Sequence, residues 1–256
     1  MQLMQNLKRI ASADQMVRRT ALLDILREMD CPFVHHREKI ADGRPENIVV
    51  SFVGEMPRLV VGAHYDSVPG STGANDNGAS VCIVLEMVRA LLASPPRRAI
   101  DFCFFDLEEV PTSGAKAYLN RVAHDQIWAM INFDVCGLGD TLLIGPQKHV
   151  DQGPLHQPVM KTIESGKHAV EIAEKMPPGD DRAFEQVDIP NVSVGILPKE
   201  EAALVKALGQ ASPDVKVKKP PILETMHNGP RDSIAFVEEA AMQNVLSWAL
   251  DVVGDV

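Results

Sequence analysis

The sequence predicts an α/β protein built on a largely parallel sheet. Three observations carry this. Short apolar, β-rich runs recur along the chain: ENIVVSFV, RLVVGAH, AIDFCFFD, IWAMINFD, TLLIG and VSVGIL. Stretches with apolar residues at helical spacing fall between several of them. AIDFCFFD is apolar almost throughout, as a strand covered on both faces requires.

The elements follow in order. Ser12 and Gln15 form an S-x-x-Q capping box, and Met16, Thr20, Leu23 and Leu26 then recur at helical spacing, so a first helix ends near Asp30. ENIVVSFV and RLVVGAH, separated by the turn signal GEMP, read as neighbouring strands, the second ending at His64. Residues 65–78 are rich in Gly, Ser, Pro, Asp and Asn and form a loop. Val81, Val84, Leu85, Val88, Leu91 and Leu92 line one face of the next helix, which Ser94, Pro95 and Pro96 stop. After the strand AIDFCFFD, residues 113–123 read as a short helix, and IWAMINFD and TLLIG as strands. Residues 146–181 have a mixed pattern that assigns no element, and no role is read for 147–175. VSVGIL is a late strand and KEEAALVKALGQ a helix. ASPDVKVKKPPILE reads as a loop whose basic cluster is a solvated face. The last helix starts near Asp232 and buries Ile234, Val237, Ala241, Val245 and Trp248.

At 256 residues the chain is long enough for a full core, and it is taken as one domain, 1–256. A hydrophobic fraction of 45% is that of an ordinary globular protein. The net charge of −10 argues against nucleic acid and anionic membrane surfaces as partners. Cys31, Cys82, Cys103 and Cys136 form no CxxC pair, and they read as reduced structural residues. The first residues contain no signal-peptide core, and no apolar run approaches the roughly 20 residues of a membrane span. A cytoplasmic protein is therefore expected, or a secreted one if a leader has been removed, with no membrane partner. Its oligomeric state is not readable.

Acids and histidines gather at the ends of these strands. His64 and Asp66 stand in AHYDSVPG, Asp76 in GANDNGAS, and Glu108 and Glu109 after DFCFFD. Asp134 ends IWAMINFD, and His227 lies in ETMHNGP. In an open α/β sheet the carboxyl ends of strands converge on one crevice. Carboxylates meeting there repel unless cations neutralise them, and two histidines plus several carboxylates suit zinc. Taken singly, each has a plainer reading. His64 serves as a hydrogen-bonded residue, Asp76 as a helix cap, Glu108 and Glu109 as a solvated strand end, and His227 as an exposed loop residue. Asp66 is placed to fix the tautomer of His64, and Asp232 either to support His227 or to cap the last helix. The ordered set, at one end of one sheet, is what singles these residues out.

The ordered set AHYDS, GANDNGAS, LEEV, NFD and MHN resembles the co-catalytic zinc aminopeptidases of the MH clan, the family that includes aminopeptidase Y and the bacterial leucine aminopeptidases. The resemblance runs from about Val60 to the C-terminus. It implies a three-layer α/β/α fold with a mixed, mostly parallel central sheet. It also implies two zinc ions, one held by His64 and Asp134, the other by Glu109 and His227, with Asp76 bridging them. The Asp76–Asn77 peptide is cis in such relatives. Glu108 is then the general base for the water between the ions, with Asp66 beside it among the catalytic residues. Short peptides or amino-acid amides are the implied substrates. GDDRAF departs from the family's usual S-D-H, so Asp181 and Arg182 become candidates for substrate contact. Glutaminyl cyclases share the fold and bind one zinc, and D-D-x-x-F at Asp180, Asp181 and Phe184 is similar to their pattern. A one-zinc acyl transferase, or another zinc amidohydrolase, is the alternative.

Overall fold

The computed structural model describes residues 2–41, 43–110, 112–210, 219–227 and 229–256. Two helices open the chain, α1 (Leu3–Ile10) and α2 (Gln15–Glu28), where the sequence analysis places one. The cap of α2 is Asp14, whose carboxylate accepts the N–H of Met16 at 2.8 Å, while Ser12 Oγ accepts the N–H of Asp14 instead. Arg18, Leu22, Leu23, Ile25 and Leu26 form its buried side, whereas Met16 and Thr20 of the expected stripe face solvent.

The chain continues through β1 (Val34–Arg37), β2 (Glu46–Phe52), β3 (Glu55–His64), α3 (Ala79–Ala93) and β4 (Arg98–Phe105). Next come α4 (Ser113–Leu119), β5 (Ile127–Phe133) and β6 (Thr141–Gly145). The stretch that the sequence leaves unassigned holds α5 (Gln147–Gln152), α6 (His156–Glu164), β7 (Ala169–Ile172) and the start of α7 (Asp181–Glu185). β8 (Asn191–Leu197), α8 (Lys199–Gln210) and α9 (Glu239–Gly254) complete the order. The loop and basic cluster expected after α8 lie mostly outside the described residues. α9 starts at Glu239 rather than near Asp232, and a short turn at Ile234–Phe236 precedes it. Val237, Ala241, Val245 and Trp248 are buried as the stripe requires, and Ile234 is partly so.

Among the described residues the strands form one eight-stranded sheet in the order β1-β2-β4-β3-β5-β8-β6-β7. The inner strands β4, β3, β5 and β8 run parallel, while β2 and β6 run against them. β2 and β3 are not neighbours, because β4 lies between them. The link between them is no hairpin: Glu55 N–H donates to Arg97 O at 2.9 Å, so the chain passes across the start of β4. A Cβ on Gly54 would stand 2.5 Å from Ala99 N, which is why a glycine fits there.

Alternation along the strands builds two cores. Leu59, Val61 and Ala63 of β3 and Ile100, Phe102 and Phe104 of β4 face the layer of α1, α3 and α9. Val60, Cys103 and Phe105 face the opposite layer, with Tyr118 of α4 and Phe184 of α7. Helices on both faces leave the strand ends as the open edge of a three-layer α/β/α fold. Trp248 of α9 packs edge-on against Phe133, the last residue of β5, with ring centroids 6.5 Å apart. Trp248→Ala is expected to cost about 3–5 kcal/mol of stability, read by urea unfolding, because it empties a fully buried site under that strand end.

Candidate metal centre

Parallel strands deliver their carboxyl ends to one side, and the predicted residues arrive there. His64 is the last residue of β3, Asp134 follows β5, and Glu108 and Glu109 lie in the loop after β4. Asp76 sits in the turn Ala74–Gly78 before α3, and His227 follows the turn Pro221–Thr225. The Asp76–Asn77 peptide is cis, as the resemblance implies.

The asparagines beside Asp76 fix that turn. Asn77 donates to Phe133 O at 2.9 Å and accepts from Val135 N–H, so it grips the chain on both sides of Asp134. Asn75 accepts from Gly137 N–H at 2.7 Å and donates to Thr225 Oγ1 at 2.7 Å, which ties the turn to the segment before His227. Asp232 neither caps α9 nor supports His227. Its Oδ1 accepts the N–H groups of Asn75 and Asp76 at 2.9 and 3.3 Å, its Oδ2 accepts from Ser71 Oγ, and its main-chain oxygen accepts from Thr72 Oγ1. These contacts span about 160 residues of chain, and no local pattern signals them.

Two sets of donors result, His64 with Asp76 and Asp134, and Asp76 with Glu109 and His227. Within each set the ligand atoms lie inside 4.8 Å of one another. The two oxygens of Asp76 divide between them: Oδ1 is 3.4 Å from His64 Nε2, and Oδ2 is 3.8 Å from His227 Nε2. His64 Nε2 lies 3.6 Å from Asp134 Oδ1, and His227 Nε2 lies 3.5 Å from Glu109 Oε2. Most of these separations are long for hydrogen bonds. They are close to the edge of a tetrahedron with arms of about 2.0–2.1 Å, the zinc–nitrogen and zinc–oxygen distance. Asp134 Oδ1 and Glu109 Oε1 are buried without a hydrogen-bond partner among the described residues. Imidazoles, carboxylates, spacing and orphaned oxygens together fit zinc.

Charge without metal is poorly balanced here. Burial opposes protonation of His64, but Asp134, Asp66 and Asp76 outweigh it and hold the imidazole well above its usual range. Burial, with Asp134, Glu109 and Asp66 adding repulsion, pushes Glu108 up to about 8. Burial and Asp76 push Glu109 to about 7. Asp66 is a hub: it lies 3.3 Å from His64 Nδ1 and accepts the N–H groups of Glu108 and Glu109 at 3.0 and 3.2 Å.

Asp180 and Asp181 are buried next to this cluster. Asp180 is marked in the sequence only as part of D-D-x-x-F, with no role of its own. Both of its oxygens lack partners among the described residues, and burial with the charge of Glu108 holds its carboxyl far above the usual range. Burial raises Asp181 to about 6. Gly179, just before them, lies beside Asn132, Asp181 and Asp134: a Cβ there would stand 3.0 Å from Asn132 Nδ2 and 3.5 Å from Asp134 Oδ2. Arg182 is exposed on α7, and its guanidinium makes no hydrogen bond or ion pair among the described residues. All four cysteines are free and buried, as expected of structural residues.

Residues 47–253 match the profile of Peptidase family M28. A vacuolar membrane protease of Candida glabrata is 31% identical over 123 residues, which is 47% of this chain and 13% of that protein. Aminopeptidase YwaD of Bacillus subtilis is 37% identical over 98 residues, 38% of this chain and 20% of that protein. These matches thus span a fifth or less of those relatives' length. Glutaminyl cyclase of Porphyromonas gingivalis superposes with a TM-score of 0.72 at 19% identity, covering 99% of this chain and 95% of that one, which shows the fold. The expected cytoplasmic location gains no support, since a relative is named a membrane protease. Among the described residues no helix is long and apolar enough to cross a membrane.

Asp232→Ala strips Asn75, Asp76 and Ser71 of a buried acceptor. The variant is expected to lose about 1–3 kcal/mol of stability in urea unfolding, and to hold zinc less tightly in a chelator competition.

Proposed function

The chain belongs to peptidase family M28, and on that premise we propose that it is a zinc-dependent aminopeptidase that removes the N-terminal residue of short peptides or amino-acid amides. The observation that carries the reading is the division of Asp76 between two complete donor sets. In this reading His64, Asp76 and Asp134 hold one zinc, and Asp76, Glu109 and His227 a second. Bound zinc supplies Lewis acidity to the scissile carbonyl and acidifies water.

The protein's own groups do the rest. Asp66 takes the Nδ1 side of His64 and so leaves Nε2 free as the ligand atom. The same carboxylate holds the backbone of Glu108 and Glu109, so one residue orients a ligand, the base and a further ligand together. Glu108 takes the proton of the attacking water and passes it to the leaving amine. Burial and the neighbouring carboxylates raise its carboxyl in the metal-free cluster; bound cations would offset that repulsion and favour the carboxylate form that a general base needs. The surrounding carboxylates favour a substrate with a free, cationic N-terminus. Asp181, buried beside Asp134, is the better placed of the two candidate substrate residues, since Arg182 is exposed. An aminopeptidase among the relatives supports this choice of reaction. We treat residues 1–256 as one catalytic domain, because a continuous core runs from Leu3 to Val256.

A one-zinc cyclase of N-terminal glutamine is the second reading. It is favoured by the buried pair Asp180 and Asp181, followed by the buried Phe184. The two readings differ in zinc stoichiometry, two ions against one.

The test is hydrolysis of matched peptides by zinc-loaded protein, one set with free N-termini and one N-acetylated. The free set alone is expected to be cleaved. Glu108→Gln is expected to keep its zinc and lose about 10²–10⁴-fold in rate. Cleavage of the acetylated set, or full activity in the variant, would contradict the proposal.

A further inference from the structure

The helical hairpin of α1 and α2 lies upstream of the family match, which begins at residue 47. One of its side chains nevertheless reaches the loop that joins two of the proposed metal ligands. Arg18 of α2 is fully buried. Its Nε donates to Tyr65 O at 2.6 Å, and its Nη1 donates to Thr72 O at 2.6 Å and to Gly73 O at 3.1 Å. Tyr65 is the residue after His64, and Gly73 opens the turn that carries Asp76. A single guanidinium therefore bridges both ends of the loop between these two ligands. Gln15, three residues earlier, holds the middle of the same loop, donating to Ser67 O at 2.8 Å and to Ser67 Oγ at 3.0 Å.

The loop is built around this contact. Gly73 has φ +53°, and a Cβ on it would stand 2.6 Å from Arg18 Nη1, so the close approach excludes any side chain. On the other side Asp232 receives the N–H groups of Asn75 and Asp76. Carbonyls face the cation and N–H groups face the anion, so the backbone leading to Asp76 is held from two directions by groups of opposite charge. Arg18 makes no ion pair among the described residues. The charged groups it faces are Asp66, Asp232 and Asp76. Its direct hydrogen bonds go to carbonyls and its Nη2 has no partner among the described residues, so burying this charge is costly even with those carboxylates nearby. A loop that needed only packing could be held by an apolar side chain.

The geometry points to Arg18 as a positioning residue for the metal centre, setting the separation of His64 and Asp76 by clamping both ends of residues 65–73. The inference rests on the metal site proposed above. Arginine is required for its fork: a lysine keeps the charge but cannot bond both loop ends in the plane that a guanidinium offers.

The test compares wild type with Arg18→Met, Arg18→Lys and Gln15→Ala. Three quantities are read: zinc affinity by chelator competition, amide hydrogen exchange of the metal-free protein, and thermal midpoint. Arg18→Met is expected to bind zinc about 10–100-fold more weakly. Its exchange should quicken in residues 65–78 while the sheet keeps wild-type protection. Arg18→Lys should recover only part of the affinity, and Gln15→Ala should show a smaller loss of the same kind. Wild-type zinc affinity in Arg18→Met overturns the inference. So does a fall in thermal midpoint with exchange rising uniformly, which marks a merely structural residue. If Arg18→Met does not fold, Gln15→Ala decides by zinc affinity and local exchange, and wild-type values of both in it overturn the inference. Failure of wild type to bind zinc would sink the site reading instead. The exchange pattern of the metal-free variants would still judge the clamp.

Discussion

The constraint on which this structure turns is the repulsion among carboxylates gathered at one sheet edge. Two like charges about 4 Å apart repel by roughly 4 kcal/mol at an effective dielectric of about 20. Asp66, Asp76, Glu108, Glu109, Asp134, Asp180 and Asp181 meet in one crevice, and Asp66, Asp76, Asp180 and Asp181 are buried. The fold lowers this cost locally wherever it can. Asp66 rests on backbone N–H groups, and Asp76 accepts the N–H of His227 at 3.0 Å. What remains is the orphaned oxygens of Asp134 and Glu109 and the raised carboxyls of Glu108 and Glu109. Cations between the two donor sets are the natural remedy, and the proposed chemistry is what those cations make available.

The sheet supplies the rigidity that such a cluster needs. β3, β4 and β5 are covered on both faces, so the points at which their chains emerge are fixed by packing rather than by loops. The loops then add chemistry on a fixed frame. Asn75 and Asn77 show how closely the two are joined: each bonds the segment that follows β5, on either side of the carboxylate that Asp134 contributes. The proposed ligands thus come from separate stretches of chain but are locked to one another through backbone.

Much of this was legible from the amino acids. β4 and β5 announce themselves as apolar runs, α3 by its stripe, and the site residues by falling at strand ends within a recognisable ordered set. The misreadings have physical causes. α1 is a single helix of eight residues whose apolar face is Leu3, Met4, Leu7 and Ile10, too short to show a sustained repeat. β1 has no buried residue, so its pattern carries no strand signal. The adjacency of β2 and β3 failed because β4, which comes later in the chain, pairs with both and lies between them, which sequence proximity does not report. Asp232 reads equally as a support for His227 or as a cap for the last helix because both roles are local in sequence, whereas its partners lie about 160 residues away. Arg18 sits in a stretch that reads as an ordinary amphipathic helix, and nothing in its neighbours marks it as buried.

The central claim is that one carboxylate, Asp76, joins two metal positions. Anomalous diffraction at the zinc edge from crystals of the zinc-loaded protein tests it most directly. Two peaks are predicted, one among His64, Asp76 and Asp134 and the other among Asp76, Glu109 and His227. A single peak, or peaks away from Asp76, would contradict the account.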